Sequence, residues 1–346
     1  MDWKQDPKAR KRVVSILRAL QQARKPLGAS RLARDLEALG TDMSQRTVRY
    51  YLAMMDRAGL TRSCGKKGRE ITPAGEQELA NAFVTEKVGL IAARVDELAY
   101  QMTFQLRRAR GTIILNVSTV PASRMEEAAH EMRAVFEAGL SMGRGVVLAG
   151  PGEMIGPFRV PDDSCAVGTV CSVTVNGVLL AAGVPTVSRF GGLLEVADGQ
   201  PVRFAEMIYY EGSSLDPLEI FISGHMTRVR EAARTGRGII GASFREIPAV
   251  AVPRARKIAD RLAQAGLGGV LAIGKPSRPL LDVPVHEGRA GLIVVGGLNP
   301  LAAVEESGIP TRNKALTGMF EFEKLVPYTE LGSRVTRAPA LAEGAQ

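Results

Sequence analysis

The chain of 346 residues is poor in several things, and each shortage removes a class of protein. Its three cysteines, Cys64, Cys165 and Cys171, are odd in number and form no Cys-x-x-Cys pair, which argues against a disulfide framework or a structural zinc site. Its three histidines, His130, His225 and His286, are scattered without a second ligand at metal spacing, so each reads as a surface or capping residue. No stretch of 18 consecutive apolar residues occurs and the amino terminus lacks an apolar h-region. Neither a membrane span nor a signal peptide is therefore expected, and the chain reads as cytoplasmic. No Gly-x-Gly-x-x-Gly follows the first strand, and neither Gly-x4-Gly-Lys-[Ser/Thr] nor His-Glu-x-x-His is present. A serine hydrolase and a Mg2+ carboxylate cluster are not expected either. Hence no catalytic residue, metal or bound cofactor is assigned, and an enzyme is the weakest reading.

Acidic residues are scarce at one end. Residues 1–75 hold 17 Lys and Arg against 7 Asp and Glu, a net of +10 within a chain total of +9, so the remainder is nearly neutral. That asymmetry suits a small domain that meets a polyanion, although a solvated basic face would look the same. Val13, Ile16, Leu17 and Leu20 repeat at helical spacing up to Lys25-Pro26, and Leu32, Leu36 and Leu39 do so up to Gly40. Ser44 is then an N-cap for "QRTVRYYLAMMDRAGL", whose inner stripe is Val48, Leu52, Met55 and Leu60. "TRSCGKKGREITPAG" follows as two short strands around a Gly-Lys-Lys-Gly tip. Three helices and a basic hairpin make a winged helix-turn-helix, with Ser44, Gln45, Arg46, Arg49 and Tyr50 facing duplex DNA and Lys66, Lys67 and Arg69 neutralising phosphate. "SQRTVRYYLAMMDRAGL" resembles the winged helix of bacterial and archaeal regulators and of some ribonucleases of the R type. A protein-binding winged helix is the alternative.

Residues 76–109 read as one or two connecting helices. Val88, Ile91, Val95, Leu98 and Met102 form a stripe that fits either a dimer seam or packing onto the next domain. From residue 110 the sequence repeats itself. "RGTIILNVSTVP" answers "RGIIGASFREIP", and Gly139, Gly150, Pro161, Asn176 and Thr186 answer Gly266, Gly274, Pro284, Asn299 and Thr311, at offsets between 123 and 127. The fold class expected is α/β, or α+β overall: a winged helix followed by an internally duplicated α/β effector domain over 110–335, with pseudo-twofold repeats 110–192 and 237–318 and a flexible tail 336–346. The copies differ where polar Thr169, Cys171 and Ser172 face Leu292, Val294 and Val295, so one copy is expected to bind and the other to support.

"GTVCSVTVNGVLLAAGVPTVSRFGGLLE", "YYEGSSLDPLEIFI" and "GRAGLIVVGGLNPLAAVEESGIPT" resemble the effector domain of the NrpR family of nitrogen regulatory repressors, over about residues 110–332. The resemblance implies a repressor of nitrogen-assimilation genes that binds an operator as a homodimer or higher oligomer and is released by 2-oxoglutarate. A ligand with two carboxylates needs fixed donors, and the candidates are Thr169, Cys171, Ser172, Asn176, Thr186 and Arg189, with Asn299, Thr311 and Arg312 as their counterparts. Cys171 has a plain alternative as a small buried hydrophobe. Asn176 and Asn299 have one in turn chemistry, and Asp216 with Glu219 in "SLDPLEIF" reads as a helix cap. The other functional readings are a regulator of the same build sensing a different metabolite, a non-catalytic RNA-processing accessory, and a metabolic enzyme.

Overall fold

The computed structural model describes residues 7–332 except 24, 39, 40, 42, 81–90 and 157. The expected tail 336–346 and the positions Leu39, Gly40 and Val88 lie outside the described residues. The chain divides into two compact units, Met1–Gly89 and Leu90–Gln346.

In the first unit α1 (Pro7–Ala23), α2 (Ala29–Ala38), α3 (Gln45–Arg57) and α4 (Pro73–Ala80) surround the hairpin β1 (Thr61–Ser63) and β2 (Arg69–Ile71). Val13, Ile16, Leu17, Leu20, Leu32, Leu36, Val48, Leu52, Met55 and Leu60 are all buried, as their spacing predicts, and Tyr51 and Leu79 join them. The wing is stitched to the loop after α1. Leu27 N–H donates to the Arg69 carbonyl at 2.9 Å, and Arg69 N–H returns the bond at 3.0 Å. This close approach demands glycine at 68, where φ is +109° and a Cβ would lie 2.2 Å from the Leu27 carbonyl carbon.

In the second unit α5 (Ile91–Gln101) is not a free connector. Val95, Leu98 and Met102 are buried in this unit's core, whereas α4 packs on α1, so the 76–109 stretch is shared out between the two cores. The first repeat runs β3 (Thr112–Pro121), α6 (Met125–Glu137), β4 (Gly145–Ala149), β5 (Met154–Ile155), β6 (Phe158–Arg159), β7 (Ser164–Val170), α7 (Thr174–Ala181) and β8 (Val187–Ala197). After β9 (Gln200–Tyr209), α8 (Pro217–Ser223) and α9 (Val229–Thr235), the second repeat runs β10 (Gly238–Pro248), α10 (Val252–Gln264), β11 (Val270–Ile273), β12 (Arg289–Val295), α11 (Asn299–Glu306) and β13 (Arg312–Glu321). β14 (Val326–Pro327) follows.

These strands build two five-stranded antiparallel sheets, ordered β13-β3-β7-β4-β14 and β11-β12-β10-β8-β9. Each repeat lends its last strand to the other. β8 of the first pairs with β10 of the second, and β13 of the second pairs with β3 of the first. Each sheet therefore needs chain from both copies, and the long apolar strands β3, β7, β10 and β12 are covered on both faces, which accounts for their nearly unbroken burial. No described helix is long and apolar enough to cross a membrane.

Candidate functional site

The DNA-facing candidates sit where a capped helix meets a basic turn. Ser44 Oγ accepts from Thr47 N–H at 3.2 Å and starts α3, leaving the first helical turn exposed. Gln45 reaches Ser30 of α2, and Tyr50 packs edge-on against buried Tyr51 while remaining 57% exposed. Arg46, Arg49, Lys66 and Lys67 are exposed, and among the described residues their side chains make no hydrogen bond or ion pair. Arg69 differs. Its Nε donates to Asp56 at 2.7 Å, and Asp56 also accepts the Thr61 hydroxyl at 2.6 Å. Arg69 thus bolts the wing to α3, so its charge is already matched inside the domain, as is that of Arg62 by Glu70.

In the second unit the polar candidates of the first repeat collect around a residue that the sequence reading passed over. Arg245 on β10 is 0% exposed. Its Nε donates to Asn176 Oδ1 at 2.6 Å, one terminal nitrogen to Ser243 Oγ at 2.8 Å and the other to Ser172 Oγ at 3.0 Å. Asn176 Nδ2 in turn donates to Ser188 Oγ at 2.9 Å. Buried Cys171 and Tyr210 lie close enough to feel this charge, and no described carboxylate is ion-paired with it. Burial lowers the Arg245 pKa from the ordinary guanidinium value, and pushes the Cys171 thiol up to about 12. Such a thiol is neutral at physiological pH and unfit as a nucleophile.

Of the other candidates, Thr169 lies deeper on β7 with its hydroxyl buried and unpaired among the described residues. Thr186 donates to the Val184 carbonyl at 3.2 Å, and half-buried Arg189 is the extra residue where β8 bulges opposite Phe244 and Arg245. The counterparts in the second repeat do not converge in the same way. Asn299 is saturated by backbone: Gly241 N–H donates to its Oδ1 at 2.9 Å, and its Nδ2 donates to the Leu140 and Gly241 carbonyls, each at 3.0 Å. Thr311 is held by Glu305, and Arg312 is exposed. The position equivalent to Arg245 is Ser118, which donates to Asn313 at 2.7 Å. The repeats therefore share a scaffold and differ in one cation. The signal was present in the alignment of "NVSTVP" with "SFREIP", where Arg-Glu interrupts an apolar strand opposite Ser-Thr.

On α8, Asp216 accepts from Leu218 N–H at 2.9 Å as the expected cap, and burial raises its pKa to about 6. Glu219 leaves its own helix and accepts from Ala315 N–H on β13, and burial raises it to about 7. Two further spacings resemble enzyme motifs. Gly139-Leu140-Ser141-Met142-Gly143 has the Gly-x-Ser-x-Gly pattern, but it leads from a helix into a strand, the reverse of a nucleophile elbow, and Ser141 Oγ is buried without a described partner. Gly236-Arg237-Gly238-Ile239-Ile240-Gly241 opens strand β10 and not a helix, so it offers no helix amino terminus to a pyrophosphate. No group of three metal-ligating side chains occurs among the described residues.

Residues 14–79 match the ribonuclease R winged-helix domain, and residues 88–327 match the NrpR regulatory domains NRD1 and 2. The chain is 32% identical over 320 residues to the global nitrogen regulator NrpRI of Methanosarcina mazei, covering 92% of this chain and 98% of that protein. It is 30% identical to the global nitrogen regulator NrpR of Methanococcus maripaludis, over 92% of this chain and 55% of the longer relative. A crystal structure of a nitrogen repressor-like protein from Methanococcus jannaschii matches 70% of this chain and 99% of its own, at 26% identity and a TM-score of 0.59. With both domains matched in order and a full-length relative above 30% identity, the chain belongs to the NrpR family of nitrogen regulators.

Proposed function

We propose that this protein is a repressor of nitrogen-assimilation genes that binds duplex DNA as a dimer and lets go when 2-oxoglutarate occupies its second unit. The observation that carries the DNA half is the set of four exposed cations whose side chains have no partner among the described residues, Arg46 and Arg49 on the first turns of α3 and Lys66 and Lys67 on the wing, beside the hairpin cations Arg62 and Arg69, which are internally matched. In this reading Arg46 and Arg49 contact base edges in the major groove, with Ser44, Gln45 and Tyr50 flanking them, and the two lysines neutralise backbone. Two copies would read half-sites of a pseudo-palindrome. The effector half is supported by the Cys171, Ser172 and Asn176 cluster, and the link to nitrogen by the relatives, which are global nitrogen regulators.

Selection of sequences from a random duplex library, followed by anisotropy titrations across salt, tests this reading. Arg46→Ala or Arg49→Ala is expected to cost about 1–3 kcal/mol on the selected site and to relax its sequence preference. Lys66→Ala and Lys67→Ala should weaken all duplexes alike and each flatten the salt slope by about one unit. Arg69→Ala should instead lower the melting temperature of the winged helix. Undiminished binding by the Arg46 and Arg49 variants would remove α3 as the reading helix. Release by a metabolite other than 2-oxoglutarate would keep the regulator and replace its signal.

A further inference from the structure

A fully buried guanidinium whose hydrogen-bond partners in the protein are all neutral is an expensive object. Taking a cation out of water costs several kcal/mol even after relaxation, and proteins ordinarily recover that with a carboxylate. Arg245 is fully buried, yet its three partners, Asn176, Ser172 and Ser243, are all neutral. The first repeat does without such a charge at the equivalent position, where Ser118 pairs with Asn313 of β13 and both groups are neutral. The scaffold therefore does not need a cation at this point of the fold. Two more features set the place apart: β8 is bulged opposite Phe244 and Arg245, and Ser172, unlike its buried neighbours Cys171 and Val173, is only half-buried.

We infer that Arg245 is the anchor for one carboxylate of a small anionic ligand at the junction of the two repeats, and that Ser172, Asn176 and Ser243 are stand-in partners that hold the guanidinium until the ligand arrives. This rests on the effector reading above and assigns it a residue. A planar guanidinium takes a carboxylate through two parallel N–H bonds, a stronger pairing than any hydroxyl or amide gives it. Buried Tyr210, which feels the Arg245 charge, and Ser188, which accepts from Asn176, are neutral groups on the same side of the fold, and Arg189, next to Ser188 in sequence, is the adjacent cation on that strand. The site also contains its own transmission. Arg245 belongs to the second repeat while Ser172 and Asn176 belong to the first, so a ligand that captures the guanidinium replaces bonds between repeats with bonds to itself. Differential occupancy of those two arrangements is what a signal requires.

The test is calorimetric titration of 2-oxoglutarate, succinate and glutarate into the full-length protein, its Arg245→Lys variant and its Asn176→Asp variant, with melting curves of each. Asn176→Asp is nearly isosteric and places a permanent carboxylate against the Arg245 Nε, so it is expected to melt no lower than the parent while losing ligand. Arg245→Lys keeps the charge but loses the fork, and should weaken binding by about tenfold or more. Should Arg245→Lys fail to fold, the Asp variant carries the result alone. If 2-oxoglutarate binds the parent and both folded variants within about twofold of one another, which is well under the roughly 1.4 kcal/mol of a tenfold change, Arg245 is only a staple and the inference falls while the effector reading stands. Binding of succinate or glutarate but not 2-oxoglutarate, lost in both variants, keeps the Arg245 site and overturns the identity of the effector. If none of the three binds the parent, both are overturned.

Discussion

Replacing Asn299 by Ala separates a structural asparagine from a ligand-binding one. The side chain is 1% exposed and spends its whole capacity on backbone, accepting from Gly241 N–H and donating to the carbonyls of Leu140 and Gly241. Alanine strips these groups of their partner without leaving room for much water. The Gly241 carbonyl is spared, because it also accepts from Gly296 N–H at 2.8 Å. Two groups are left buried and unpaired, the Gly241 amide and the Leu140 carbonyl. At about 1–3 kcal/mol for each orphaned group the expected loss is roughly 2–6 kcal/mol. Against a domain stability of about 5–15 kcal/mol this is a large fraction. Urea titration by far-UV circular dichroism measures it, with the winged helix, which contains none of these bonds, as the internal control. A shift in the second unit below about 1 kcal/mol would show that the amide network is replaceable, and would reopen Asn299 as a ligand contact.

Two further outcomes are expected. Asp216 and Glu219 have folded-state pKa values of about 6 and about 7, above their ordinary 3.8 and 4.5, so between about pH 4 and 7 the folded state holds more protons than the unfolded one. Their contribution is therefore most favourable at low pH and declines as pH rises through the folded values; the Asp216→Asn, Glu219→Gln double variant, which keeps both acceptors, should gain stability relative to the parent at pH 8 but not at pH 4.5, and an equal difference at both would contradict the assignment. Native alkylation by iodoacetamide at pH 8 should modify half-exposed Cys64 and leave buried Cys165 and Cys171 intact until the chain unfolds, and rapid labelling of Cys171 in folded protein would refute its burial and its raised pKa.

The winged helix was legible in sequence because each of its determinants is local. The stripes in α1, α2 and α3 recur every three to four residues, Ser44 caps the turn that follows it, and Gly68 sits where only glycine fits. The duplication was legible for a related reason: equal chemistry at a constant offset survives as equal structure, down to Gly139 and Gly266, which leave their helices at φ of +71° and +75°. Tertiary structure alone decided three things. The charge on Arg69 looks the same in sequence as those on Lys66 and Lys67, and only the packing of the wing on α3, which brings Asp56 to it, sets it apart. The exchange of β8 and β13 between repeats depends on which edge each strand meets, and an apolar strand pattern names the face to be buried but not the neighbour. The polar cluster of the first repeat was visible as Cys171, Ser172 and Asn176, yet its cation comes from a strand 69 residues beyond Asn176, because hydrogen-bonding partners of a buried charge are chosen by proximity in the folded sheet and not by distance along the chain.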